Sequence, residues 1–246
     1  MLVIPAIDLL DGKCVRLHQG KYDRATEYSE DPVAMAKHWQ DTGAEWLHIV
    51  DLNGAREGQP RHREVMAAIR KATPSAWLQV SGGLRTVEAV EQALEVADRV
   101  VLGTVAVKQP ELVQEAVSRF AERVAVGSDA RDGLVATDGW ESSTTRTAAD
   151  VAREMAAGGV QTLIFTDIDA DGTLRGPNLS ALTQLRTIPH VRLIAAGGVG
   201  SIAHLRQIAK LGVDATIVGK ALYEGAIDLG RAMHDVEDTP RERYEW

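Results

Sequence analysis

GAEWLHIVDLNGA, residues 43–55, returns in altered form as GVQTLIFTDIDA, residues 159–170. Each copy is a glycine, a nearly unbroken apolar run of strand length, and then an aspartate, Asp51 in one and Asp167 in the other. A run that is apolar at almost every position belongs to a strand covered on both faces, as in parallel sheets. LVIPAI (2–7), RVVLG (99–103) and ATIVG (215–219) have the same character. Working outward, candidate strands fall at 2–7, 46–51, 77–81, 99–103, 124–128, 162–166, 192–196 and 215–219. Amphipathic stretches follow them. The first opens at Asp31-Pro32, an N-cap before a proline, and stops at Gly43. Others are expected near 62–72, 86–97, 110–121, 148–157, 179–185, 201–211 and 227–236. Eight β-then-α units in 246 residues predict an α/β fold, a (β/α)8 TIM barrel, over an open doubly wound sheet.

Three further pairs share the internal repeat. IDLLDGKCV (7–15) matches SDARDGLVA (128–136), SGGLRT (81–86) matches AGGVGS (196–201), and DRVVLGT (98–104) matches DATIVGK (214–220). All four offsets lie between 115 and 121 residues, which predicts a two-fold half-barrel duplication. One domain is expected over 1–235, with half-barrels of about 1–123 and 124–235. A charged tail, 236–246, is expected to fray.

The bulk properties narrow the function. The chain is 45% hydrophobic with a formal net charge of −8, an acidic balance that disfavours nucleic-acid partners. Cys14 is the single cysteine, so neither a disulfide framework nor a multi-cysteine metal site can form within the chain. No run is long and apolar enough for a membrane span, and MLVIPAIDLLDGK does not read as a signal peptide. A cytoplasmic monomer acting on a small molecule is expected.

In a barrel of this kind, the strand C-termini and the loops after them form the active face. Gly82-Gly83 and Gly103-Thr104 follow the third and fourth candidate strands; Gly197-Gly198 and Gly219-Lys220 follow the seventh and eighth. Glycines there let backbone N–H groups approach an anion, and a helix N-terminus beyond adds a favourable dipole. Two such cups predict a bis-phosphorylated ligand. Asp8 and Asp129 end the first and fifth strands, across the mouth from each other, as a general base and acid would. Asp171, in DADGT, is a third acid/base candidate. Thr166, Gly172 and Thr173 lie close by in sequence; Arg16 could grip an anionic group, and Trp140 could stack on a heterocycle. No metal is expected, because the duplicated aspartates oppose one another and no histidine is spaced as a ligand. His48, inside a strand, reads as structural.

PAIDLLDGKCVRLHQG (5–20), GAEWLHIVDLNGA (43–55), VSGGLRT (80–86), VLGTVAVKQP (101–110), DADGTLRGPN (169–178), AAGGV (195–199) and VGKALYEG (218–225) resemble, in order and spacing, the ProFAR isomerase family of histidine biosynthesis. ProFAR is phosphoribosylformimino-5-aminoimidazole carboxamide ribotide. The resemblance implies an Amadori rearrangement of this aminoaldose to the aminoketose PRFAR, with no cofactor and no metal. It implies Asp8 as base and Asp129 as acid, with Asp171 a rival and Thr166 in support. Phosphates would lie on Gly83 and Gly103-Thr104, and on Gly198 and Gly219-Lys220; Arg16 and Trp140 would touch substrate. Two alternatives are an imidazole glycerol phosphate synthase-type cyclase, whose opening motif fits less well, and phosphoribosyl anthranilate isomerisation as a second activity. The stretch Asp138-Gly139-Trp140 lacks the arginine of relatives with that second activity. The charge of Asp138 is expected to repel anthranilate, and Ser128 to influence Asp129.

Overall fold

The structure, a computed structural model, describes residues 1–237. The elements run β1 (Leu2–Leu10), β2 (Lys13–His18), β3 (Lys21–Ser29), α1 (Pro32–Asp41), β4 (Trp46–Asp51), α2 (Leu52–Glu57), α3 (Arg63–Ala72), β5 (Trp77–Ser81), α4 (Val87–Ala93), β6 (Arg99–Leu102), α5 (Thr104–Lys108) and α6 (Pro110–Phe120). They continue with β7 (Val124–Arg131), β8 (Leu134–Thr137), β9 (Ser142–Thr147), α7 (Ala148–Ala157), β10 (Thr162–Asp167), α8 (Leu179–Leu185), β11 (Arg192–Ala196), α9 (Ile202–Lys210), β12 (Ala215–Val218), α10 (Lys220–Tyr223) and α11 (Leu229–Glu237).

Eight of the strands pair in parallel in the order β1-β4-β5-β6-β7-β10-β11-β12, and β12 pairs with β1 to close the cylinder. This is the (β/α)8 TIM barrel. Its alternate side chains fill two regions. Leu2, Ile4, Ala6, Val101, Ala125, Ile164, Ile194 and Ile217 pack inside the cylinder. Ile7, Leu9, Leu47, Ile49, Leu78, Val100 and Leu102 belong to the larger core shared with the helices. A strand buried on both faces therefore carries apolar residues at successive positions, which is the pattern seen in the sequence. Each buried leucine, isoleucine or valine among them contributes roughly 1.5–3 kcal/mol through burial.

Local chemistry sets the helix ends. Asp31 caps α1 by accepting from the N–H groups of Val33 and Ala34, and Thr86, Thr147 and Ser201 cap α4, α7 and α9. Helix α4 is shorter than expected, ending at Ala93. Helix α11 runs to Glu237, across the expected start of the tail; residues 238–246 lie outside the described residues. The terminal ammonium of Met1 donates to the Val236 carbonyl, tying α11 to the start of β1.

Four strands were not anticipated. The loop after β1 is the antiparallel hairpin β2–β3, and the loop after β7 is the hairpin β8–β9. The turns that lead into them, from β1 to β2 and from β7 to β8, are Asp-Gly pairs with positive φ at both residues: Asp11 (50°) and Gly12 (82°), Asp132 (50°) and Gly133 (79°). Two such residues make the type I′ turn that matches the twist of paired strands. The motif was legible as DG in both repeats.

Candidate active site

A cavity of about 210 Å³ opens at the C-terminal end of the barrel strands. Asp8, Asp129 and Asp171 line it together with Thr166, Arg16 and Trp140. Gly82, Gly83, Gly103 and Thr104 line one side, and Gly172, Gly197, Gly198, Gly219 and Lys220 also face it. Of the expected site residues, only Thr173 is missing from the wall. Its hydroxyl donates to the Ala170 carbonyl at 2.6 Å and closes its own turn instead.

Asp8 is buried, Asp129 and Asp171 are half-buried, and the three carboxylates differ in their neighbours. Burial pushes Asp8 up to about 6, against the pull of the Arg16 guanidinium 2.9 Å away and with a further push from Asp171. Burial also raises Asp129, but the opposing groups there are neutral donors. Trp140 Nε1 donates to Asp129 at 2.7 Å, and the Thr166 hydroxyl, in register beside it on β10, donates as well. Asp171 is raised chiefly by burial and also by Asp129, while Arg16, 3.9 Å away, opposes the shift. One guanidinium thus serves Asp8 and Asp171, and Asp129 has no cation among its perturbers.

The other duplicated aspartates hold loops. Asp51 is fully buried and accepts from the N–H groups of Gly54, Arg61 and His62. Asp167 accepts from the Ala170 N–H and the Asn178 amide. The glycine pairs show why this backbone must be glycine. A Cβ on Gly82 would lie 2.2 Å from the Asp51 carbonyl oxygen, and one on Gly197 would lie 2.6 Å from that of Asp167. Their φ values of 104° and 89° add a second bar to other residues. On the far side, a Cβ on Gly219 would meet the Arg16 guanidinium carbon at 2.3 Å. Arg16 therefore spans from the Asp8 carboxylate to the backbone of the β12–α10 turn. Lys220 Nζ donates to the Gly172 carbonyl across the mouth.

The second hairpin covers the site. Asp138, Gly139 and Trp140 have φ values of 56°, 66° and 72°. Three consecutive left-handed residues need support, since the two without glycine's freedom are strained there. Asp138 supplies it: its N–H donates to Thr104 Oγ1, and its carboxylate pairs with Lys108 and with Arg85 at 3.4 Å. Those cations hold the Asp138 carboxyl below its usual range, Lys108 foremost. The charge of Asp138 is thus shared with two cations beside the site. The expected influence of Ser128 is corrected. This residue alternates with Asp129 on β7, so its side chain faces the other side of the strand, and it is absent from the groups that shift Asp129.

Arg85 and His48 are among the wall residues that sequence reasoning missed. Arg85 sits in the SGGLRT motif, two residues after the glycine pair, and lines the cavity. His48, read as structural, lines the cavity.

A family profile described as "Histidine biosynthesis protein" matches residues 2–228. The chain belongs to this family. It is 48% identical over 237 residues to a protein of Moorella thermoacetica, covering 95% of this chain and 97% of that one. It is 47% identical over 234 residues to proteins of Roseiflexus castenholzii and Chloroflexus aurantiacus, covering 95% of this chain and 98% and 97% of theirs. All three are named 1-(5-phosphoribosyl)-5-((5-phosphoribosylamino)methylideneamino) imidazole-4-carboxamide isomerase. Among the described residues, no helix is long and apolar enough to cross a membrane.

Proposed function

We propose that this chain is an isomerase of histidine biosynthesis that converts the aminoaldose ProFAR to the aminoketose PRFAR, with Asp129 as acid and Asp8 as base. The observation that carries the roles is the difference in neighbours. Arg16 favours the ionised form of Asp8, which at a value of about 6 is a carboxylate at neutral pH. Asp129, raised by burial and held by neutral donors, is the better reservoir for a proton.

The steps follow. Asp129 gives its proton to the ribose ring oxygen as the bond from that oxygen to C1 breaks. The lone pair of the attached nitrogen forms the C1=N bond of a protonated Schiff base. Asp8 then takes the proton from C2, and the released electron pair forms C1=C2 while the iminium nitrogen recovers its lone pair. The enolamine tautomerises, C1 gaining a proton as the C2 hydroxyl becomes a ketone. Backbone at Gly83 and Gly103-Thr104, and at Gly198 and Gly219-Lys220, would hold the two phosphates. Arg16 and Trp140 would touch the substrate. The two cups repeat one arrangement, in keeping with a duplicated half-barrel and with one domain built from two such halves. The reading carries with it a cytoplasmic monomer with a small-molecule substrate, no nucleic-acid partner and no membrane.

Phosphoribosyl anthranilate is a weak substrate in this reading. Arg85 and Lys108 are already paired with Asp138, so its carboxylate would have to displace Asp138 from a cation. The deciding experiment incubates purified protein with ProFAR and follows carbon-13 NMR. Loss of the aldose C1 signal and growth of a ketone C2 signal is the expected result; unchanged ProFAR would overturn the assignment.

A further inference from the structure

Beneath the carboxylates, three polar side chains form a line through the barrel interior. Arg99 Nε donates to Gln79 Oε1 at 2.7 Å, and Gln79 Nε2 lies 2.8 Å from His48 Nδ1. Gln79 is fully sealed and Arg99 nearly so, both from inward positions on β5 and β6; His48 is the member that reaches the cavity wall.

The chemistry of the line admits one arrangement. A guanidinium only donates, so the Gln79 oxygen must face Arg99. The Gln79 amide nitrogen must then face His48, and an amide nitrogen only donates. His48 Nδ1 is therefore the acceptor, and the proton of the neutral ring sits on Nε2. The ring stays neutral because burial, then the positive charges of Arg16 and Arg99, push His48 down to about 3. No side chain or carbonyl among the described residues takes a hydrogen bond from Nε2, and Nε2 is not among the sealed, unpartnered atoms. It is left to the cavity.

We propose that Arg99 and Gln79 are positioning residues that fix His48 as a neutral Nε2–H donor, and that this donor binds an oxygen of the substrate sugar between Asp8 and Asp129. The second half of this statement rests on the isomerase reading. A donor that cannot ionise at working pH can bind a hydroxyl or a nascent carbonyl without competing with Asp8 and Asp129 for the transferred protons. An imidazole free to turn, or one bearing a positive charge beside Arg16, could not keep that role.

Two readouts test it. In protein labelled with nitrogen-15 histidine, and with His48→Gln used to assign the signal, wild-type His48 should show a protonated Nε2 and a bare Nδ1 from pH 5 to 9. Gln79→Glu keeps a partner for Arg99 but presents an acceptor to His48, so the proton should move to Nδ1. With ProFAR, His48→Leu and Gln79→Glu should each lower kcat/KM roughly tenfold to hundredfold, the scale of one lost donor in a buried site. His48→Gln, whose amide nitrogen reaches the place of Nε2, should recover most of the loss, which a merely structural role would not. A proton on Nδ1 in wild type would overturn the relay. Unchanged kcat/KM in His48→Leu would overturn the sugar contact, and so would wild-type protein with the expected tautomer but no conversion of ProFAR, which also ends the isomerase reading. Should Gln79→Glu not fold, the wild-type spectrum and the two His48 variants still decide both points.

Discussion

Asp8 and Asp129 occupy matching places, at the ends of β1 and β7, each followed by an Asp-Gly hairpin. Their surroundings differ. The first hairpin sends Arg16, a cation, back to Asp8 from β2; the second sends Trp140, a neutral N–H donor, back to Asp129 from beyond β8. Two copies of one framework thus offer a carboxylate beside a charge and a carboxylate beside dipoles. A repeated backbone places the groups, and the side chain returning from each hairpin sets the surroundings of each carboxyl.

The largest effect is expected from removing the charge. Arg16→Met takes away the group that opposes burial at Asp8, so Asp8 should ionise at higher pH. The acid limb of kcat/KM should move above pH 6, with activity at pH 7 down by about tenfold to hundredfold, the scale of one lost charge-assisted hydrogen bond. A pH–rate profile with an unmoved limb would break the comparison.

Stability gives a second handle. The Asp8 carboxyl has an ordinary value of 3.8 and about 6 in the fold, so the folded chain holds this proton more tightly. The contribution to folding is complete below pH 3.8 and is lost as the pH rises through 6. Asparagine mimics the protonated form. Asp8→Asn should therefore be more stable than wild type at pH 8, by up to about 3 kcal/mol. The gain should shrink toward pH 4, as read by urea melts at the two pH values. A variant less stable than wild type at pH 8 would show that the Arg16 pair outweighs burial.

A smaller effect concerns the dipoles. Trp140→Phe keeps the ring that packs over Gly20 but deletes the N–H that favours ionised Asp129. Asp129 should be raised further, moving the alkaline limb of the profile upward, while kcat falls about tenfold for one neutral hydrogen bond. A shift of the acid limb instead would reassign Trp140 to the base.

The barrel was legible because strands buried on both faces leave a continuous apolar signature, as in LVIPAI and TLIFT. The strand-end aspartates and glycine pairs were legible because they recur at one offset. Side-chain direction was not. Asp51 and Asp167 look like Asp8 and Asp129 in the sequence, yet they face backbone N–H groups and clasp loops. Thr173 turns inward on its own loop, and His48 reaches the cavity because it shares the inward face of the barrel with Ala6 on β1. The hairpins were not legible from the β-then-α alternation, because β3 and β9 are largely exposed and polar; the Asp-Gly turns leading into each hairpin were the available signal.

The division of labour between the two aspartates is tested most directly by turnover of ProFAR with wild type, Asp8→Asn and Asp129→Asn, each with ligand affinity measured beside it. Both variants should bind the substrate within a few-fold of wild type and lose turnover by at least about hundredfold, the scale of a missing general acid or base. Wild-type turnover in Asp129→Asn would contradict the account and pass the acid role to Asp171; wild-type turnover in Asp8→Asn would remove its base.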